Sequence, residues 1–192
     1  MSISTQAPAS GSNAASPAAV APTTQAPRVA TLDDLAALEP TALAALYADA
    51  RVPVLRDMDG PLVGRMLAVT VLPRFVSWFL ARFLRWFAAL ASFPWRGKTF
   101  TSKSAEQGEG INRVFGDAKP SLWFRFDTFV APSRAGAFDA VQLDYDNAGN
   151  PGFIRAIKDE VREVAPGLYL GLAYFMWRGR PKLVLYFGLQ RP

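Results

Sequence analysis

Hydrophobic and polar positions follow two rhythms along this chain. Between residues 74 and 92 (RFVSWFLARFLRWFAALAS) apolar side chains recur at helical spacing. At about 100° per residue, Arg74, Ser77, Arg82, Arg85 and Ser92 fall on one stripe. Phe75, Phe79, Leu80, Phe83, Trp86, Phe87 and Leu90 cover the wider face opposite. After residue 93 the rhythm becomes that of strands. Over 123–131, Phe124, Phe126, Thr128 and Val130 share one face and Trp123, Arg125, Asp127 and Phe129 the other. Strands are also expected over 95–100, 138–145, 168–177 and 182–190, with one more near 111–115. The polar stretch 101–110 is expected as a loop, and Arg178-Gly179-Arg180-Pro181 as the turn of a hairpin. Asn150-Pro151 looks like a helix start, and Ile154, Ile157, Val161 and Val164 recur as the buried stripe of a helix over 151–164, which leaves Arg155, Lys158, Asp159 and Arg162 facing out.

Before residue 62, Thr31 with Asp34 forms a capping-box pattern. Leucines on either side of Pro40 predict two short helices within 31–50, because proline in a helix interior removes a hydrogen bond and clashes with the preceding turn. Residues 51–61 form a turn-rich connector, and residues 62–72 are apolar with one arginine. Residues 1–30, rich in Ala, Pro, Ser and Thr, are expected to be a disordered, low-complexity tail. The expected organisation is therefore the tail (1–30), short helices and connector (31–61), a basic aromatic amphipathic helix (62–92) and a β domain (93–192).

Charge sharpens the picture of the third segment. From Pro61 to Ala105 there are seven basic residues and no acid, whereas the whole chain carries +5, so the remainder sums to −2. An ordinary surface helix mixes charges to gain pairs three and four residues apart. The segment 151–164 does mix them and serves as an internal comparison. The arginine and Phe/Trp faces of 74–92 suit the boundary of an anionic bilayer, with Arg74, Phe75, Phe79, Arg82, Phe83, Arg85, Trp86 and Phe87 as the contact residues. Packing of the apolar face on the barrel is the alternative. Each centrally placed arginine costs about 3 kcal/mol on insertion scales, so lying in the interface is favoured over spanning.

Composition narrows the chemistry. The chain has no Cys and no His, which excludes a thiolate nucleophile, a histidine triad and the commonest transition-metal ligands. No metal and no cofactor is expected. The absence of a secretory pattern and of Cys points to the cytoplasm, with the inner membrane face as the place of contact. Asp144, Asp146 and Asn147 lack the spacing of a calcium loop and fit a capped turn. Nucleic acid is not the expected partner, because the apolar face is too broad and continuous.

Trp95-Arg96-Gly97 on the opening strand, Leu168-Tyr169-Leu170-Gly171 and Tyr186-Phe187 with Arg191 carry a family likeness. Residues 94–192 resemble small bacterial lipocalin-like (calycin) barrels, above all domains of unknown function with a Gly-x-Trp-x-Gly opening strand. Phe93 stands where that signature has its first glycine. The resemblance implies a Trp that plugs one barrel end, covered by an arginine, here Trp95 with Arg191. It also implies binding of hydrophobic molecules more than catalysis.

The expected fold class is thus α+β: a small antiparallel lipocalin-like β-barrel or strongly curved sheet in the C-terminal half, with one inserted helix, preceded by N-terminal helices and a disordered tail. The expected function is binding of a hydrophobic small molecule or lipid by a protein held peripherally at the membrane through 62–92. Trp123, Arg125, Asp127, Tyr169, Tyr174, Trp177 and Tyr186 are the candidate ligand-binding residues, since each pairs a polar group with a neighbouring or attached apolar body. If the face of Arg125 and Asp127 points inward, they form an acid–base pair for an isomerase, cyclase or hydrolase acting on an apolar substrate. If it points outward they are an exposed pair, and alternation with Phe124 and Phe126 favours outward. A helix 74–92 that docks on a partner protein is a third reading.

Overall fold

The computed structural model describes residue 1 and residues 29–70, 95–116 and 118–192. The expected helix over 74–92, with all eight of its membrane-contact residues, and the tail apart from residues 1, 29 and 30 lie outside the described residues.

Eight strands form a closed, fully antiparallel barrel in which each strand pairs with its sequence neighbours and the last closes on the first. They are β1 (Gly60–Val69), β2 (Trp95–Ser102), β3 (Gln107–Val114), β4 (Ser121–Pro132), β5 (Asp139–Asp144), β6 (Ile157–Ala165), β7 (Leu168–Trp177) and β8 (Arg180–Gln190). Closure gives every strand a partner on both sides over at least part of its length.

Three expectations are corrected here. Residues 62–69 belong to β1 rather than to a helix, so the barrel begins at Gly60 and not at residue 93. The stretch 101–110 is not one loop: β2 runs to Ser102 and β3 starts at Gln107. The helix over 151–164 shrinks to one turn, α3 (Gly152–Arg155), followed directly by β6. Ile157 and Val161 suit the buried stripe of a helix and the inner face of a strand equally well. The β-branched content and the open sheet edge between β5 and β7 decide for the strand. The charge-mixed segment used as a helical comparison is therefore mostly sheet.

The N-terminal helices form as the sequence predicts. α1 (Leu32–Ala36) carries the Thr31–Asp34 capping box, and α2 (Pro40–Asp49) starts on its proline. Leu35, Leu43 and Tyr47 pack against Leu168, Leu170, Leu172, Tyr174 and Tyr186 on the outside of the barrel. A second core fills the inside, with Phe100, Phe126, Val161, Tyr169, Phe187 and Leu189 among its members. A single 3-10 turn (Leu55–Met58) inserts Leu55 and Met58 into that interior from one end. The opposite end receives the last residues of β1 and the first of β2.

Candidate interior binding site

The site begins with an irregularity in β2. Between Trp95 and Gly97 the register to β3 shifts by one residue, which is a bulge at Arg96. Without it Trp95 and Lys98, three apart, would face opposite sides of the sheet. With it both face inward, as does Phe100 two residues after Lys98. Gly97 sits at φ +123°, and a Cβ there would lie 2.0 Å from the Leu62 carbonyl oxygen, so glycine is required where β1 and β2 approach. A second bulge, in β4, skips Phe124 between the pairs Ile111–Arg125 and Asn112–Trp123. Phe124 takes φ +57°, unusual for a bulky residue, and its ring joins the barrel interior.

Interior glycines make room for rings. A Cβ on Gly64 would lie 2.5 Å from the Trp95 indole, and one on Gly171 would lie 2.1 Å from the Phe187 ring. Trp95 and Phe187 in turn meet edge to face at 5.8 Å. Between these rings and Met66, Val114, Phe124, Ile154, Ile157, Ala173 and Leu185 lies a cavity of about 100 Å³. Among the described residues its wall is apolar except for four side chains: Lys98, Asn112, Tyr145 and Asp159.

These four form one network. The Lys98 ammonium donates to Asn112 Oδ1 at 2.9 Å, to Asp159 Oδ2 at 3.1 Å and to the Tyr145 hydroxyl. Tyr145 donates to Asp159 Oδ2 at 3.1 Å. Asn112 Nδ2 donates to Tyr145 and to the Phe124 carbonyl, both at 3.2 Å, and Trp95 Nε1 donates to Asn112 Oδ1 at 3.1 Å. Lys98 Nζ also stands 5.1–5.5 Å from the ring centres of Trp95, Phe126, Tyr145 and Phe187, within cation–π range. Lys98 is 3% exposed and Asp159 4%. Burial disfavours charge, so it pulls the Lys98 ammonium below its ordinary value against the attraction of Asp159. It likewise pushes the Asp159 carboxyl up, against the pull of Lys98, and the Tyr145 phenol well up. Among the described residues Asp159 Oδ1 has no hydrogen-bond partner, although it is buried.

None of the seven sequence-derived ligand candidates lines this cavity. Arg125 and Asp127 are exposed on the outer face of β4, which removes them as an interior acid–base pair. Trp123 is 38% exposed, and its ring meets those of Phe115 and Phe124 edge to face without reaching the cavity. Tyr174 and Tyr186 belong to the outer core beneath the helices, and burial raises both phenols. Trp177 is half-buried beside Arg178 at the end of β7. Tyr169 does point inward, but it donates to the Asp57 carbonyl at the end closed by the 3-10 turn, and burial pushes its phenol up to about 12. The expected Trp95–Arg191 pair does not form: Trp95 bonds Asn112, and Arg191 bonds the Asp57 carbonyl. The Asp144–Asn147 turn is capped by its own side chains, with Asp146 N–H donating to Asp144 and Gly149 N–H to Asn147.

Lys98 and Asp159 were legible in principle. Lys98 alternates with Phe100, and Asp159 sits between Ile157 and Val161, so strand spacing puts both charges on apolar faces. A wider groove of about 600 Å³ lies at the other end, among Arg51, Arg56, Asp57, Glu163 and Arg191. It is open and polar, and Arg51 and Arg191 are committed to Glu163 and the Asp57 carbonyl, so the smaller interior cavity is the better candidate.

No family model matches the chain, and no curated protein matches it. A crystal structure of a protein from Thermomonospora curvata is similar to it, with a TM-score of 0.51 and 18% identity, over 81% of this chain and 88% of that chain. At that identity the likeness shows a shared fold and nothing finer.

Proposed function

We propose that this is a lipocalin-like binding protein whose barrel takes one small, mostly apolar molecule into the cavity beside Lys98 and Asp159. The observation that supports this most directly is the cavity itself. An apolar chamber with a few convergent polar groups is the usual form of a small-molecule site. Four buried polar side chains in an otherwise apolar wall are costly to keep and are not needed to close a barrel. The functional reading is compatible with the barrel fold, which by itself fixes no activity.

Thermal unfolding of the full chain under xenon or with n-pentane, both small enough for a cavity of this size, tests it. A bound molecule raises Tm by mass action. The expected result is a concentration-dependent rise that disappears in Ala173→Leu, whose added side chain fills the cavity. No rise with either probe would overturn the reading.

We further propose that residues 74–92 hold the protein on an anionic membrane surface. The support is the acid-free run of arginine and aromatic residues, together with its point of attachment. The chain leaves β1 after Val69 and re-enters at Trp95, both at the cavity-bearing end. Among the described residues no helix is long and apolar enough to cross a membrane. Flotation with anionic vesicles at low salt is expected to recover the protein, and neutral vesicles to leave it behind. Equal recovery from both sinks this part, and co-purification with a protein independent of lipid would favour the partner-docking reading.

A further inference from the structure

Among the described residues, the polar wall of the cavity has spent every donor it has. An ammonium carries three protons, and those of Lys98 go to Asn112, Asp159 and Tyr145. The one hydroxyl proton of Tyr145 goes to Asp159. Both amide protons of Asn112 are used, on Tyr145 and on the Phe124 carbonyl. The indole proton of Trp95 is used on Asn112. What remains is one acceptor, Asp159 Oδ1. A ligand headed by a carboxylate or a carbonyl therefore finds no donor among the described residues without breaking this network.

Charge narrows the choice further. Lys98 and Asp159 cancel, so the described lining of the chamber holds no net charge to attract an ion. A carboxylate brought here meets Asp159, and an ammonium would add an uncompensated cation to a buried apolar space. Resting on the binding reading above, we infer that the ligand is a neutral molecule that presents a hydrogen-bond donor, a hydroxyl in the simplest case, to Asp159 Oδ1, with its apolar part against Met66, Phe124, Leu185 and Phe187. The volume of about 100 Å³ fits a short alkyl or ring portion, below the ~150 Å³ cavity that holds benzene.

Two probes isolate the donor. 1-Pentanol and butyl methyl ether have the same heavy-atom count, but only the alcohol donates; pentanoate keeps the chain length and adds charge. Binding is read on the full chain from the Trp95 indole N–H signal in proton–nitrogen NMR, assigned with Trp95→Phe. A hydrogen bond to a charged acceptor is worth about tenfold in affinity. The alcohol is expected to bind about tenfold more tightly than the ether and more tightly still than pentanoate. In the double variant K98M/D159L the preference for alcohol over ether should fall below threefold. Equal or tighter binding of the ether or of pentanoate would overturn the donor inference and leave the cavity reading standing. Absence of binding by all three, with no Tm rise from xenon or n-pentane, would overturn both.

Discussion

Asp159 and Glu160 are neighbours on β6, both buried, and they face opposite sides of one sheet. Glu160 points outward, under α2. Its Oε1 accepts from the Tyr47 hydroxyl at 3.2 Å and Ser133 Oγ at 2.6 Å. Its Oε2 accepts from the Arg134 backbone at 3.0 Å, the Arg134 guanidinium at 3.2 Å and Gln142 at 3.4 Å. Those bonds tie the β4–β5 loop and α2 to the barrel, and both carboxylate oxygens are satisfied. Asp159 points inward, and only one of its oxygens is satisfied. Nearby Arg162 is the other described residue with a buried unpartnered polar atom, Nε; it too lies on the outer side, its guanidinium 4.2 Å from the Phe138 ring centre and donating to the Tyr47 and Ala48 carbonyls at the end of α2. The outer carboxylate is a structural clamp. The inner one keeps an acceptor in reserve beside a cavity, as the proposed binding role requires.

The largest expected effect separates the two carboxylates by double-variant cycles. Lys98→Met strands the Asp159 charge and should cost about 3–5 kcal/mol in urea unfolding. K98M/D159L should recover most of that loss, since replacing a buried ion pair by apolar groups is close to neutral. The corresponding E160L/R134M should not recover, because Tyr47, Ser133 and the Arg134 backbone N–H would still lack their acceptor. Additive costs inside the barrel, or recovery outside it, would erase the contrast.

Next in size are the two tyrosines that bond the two carboxylates. Tyr145→Phe removes a hydroxyl that touches Lys98, Asn112 and Asp159, and should cost about 2–3 kcal/mol. Tyr47→Phe removes one bond to a carboxylate with four other bonds, and should cost about 1 kcal/mol. Equal losses in calorimetry would contradict the assignment of two roles.

pH gives a smaller effect whose sign is the test. The folded Asp159 carboxyl is raised above 3.8. The native state then binds the proton more tightly than the unfolded chain, so the associated stability is present at low pH and is lost as pH rises through the folded value. Relative to Asp159→Asn, the wild type should therefore gain stability as pH falls from neutrality towards 3.8. A wild type that loses ground on acidification would show a carboxylate stabilised by its pairing. The smallest expectation is for Arg125→Ala and Asp127→Ala, on the outside of β4: no change in the affinity for 1-pentanol. A loss in either variant would restore that strand face as part of the site.

Much of the fold was written in local pattern. The Thr31–Asp34 box, Pro40, the alternation in β4 and the strand spans of β7 and β8 each act through backbone geometry within a few residues, and each appears close to where that geometry predicts. The site was not legible in the same way. Lys98 counted among the basic residues of an acid-free stretch, although its spacing from Phe100 already placed it on an apolar face. Asp159 was hidden by a helical reading of 151–164, because apolar positions three and four apart also satisfy a strand when they are β-branched. The bulge at Arg96, which turns Trp95 inward beside Lys98, leaves no local signature beyond Gly97.

The sequence by itself determined that this chain works without Cys or His chemistry, that its aromatic-rich half forms antiparallel strands, and that two short helices precede them. Local dihedral preferences and side-chain alternation carry that information. Only the tertiary structure decided which charges went inside. A lysine on β2 and an aspartate on β6 lie 61 residues apart in the chain and meet only because the barrel closes. Register and bulges across several strands set that meeting, and no window of sequence contains them.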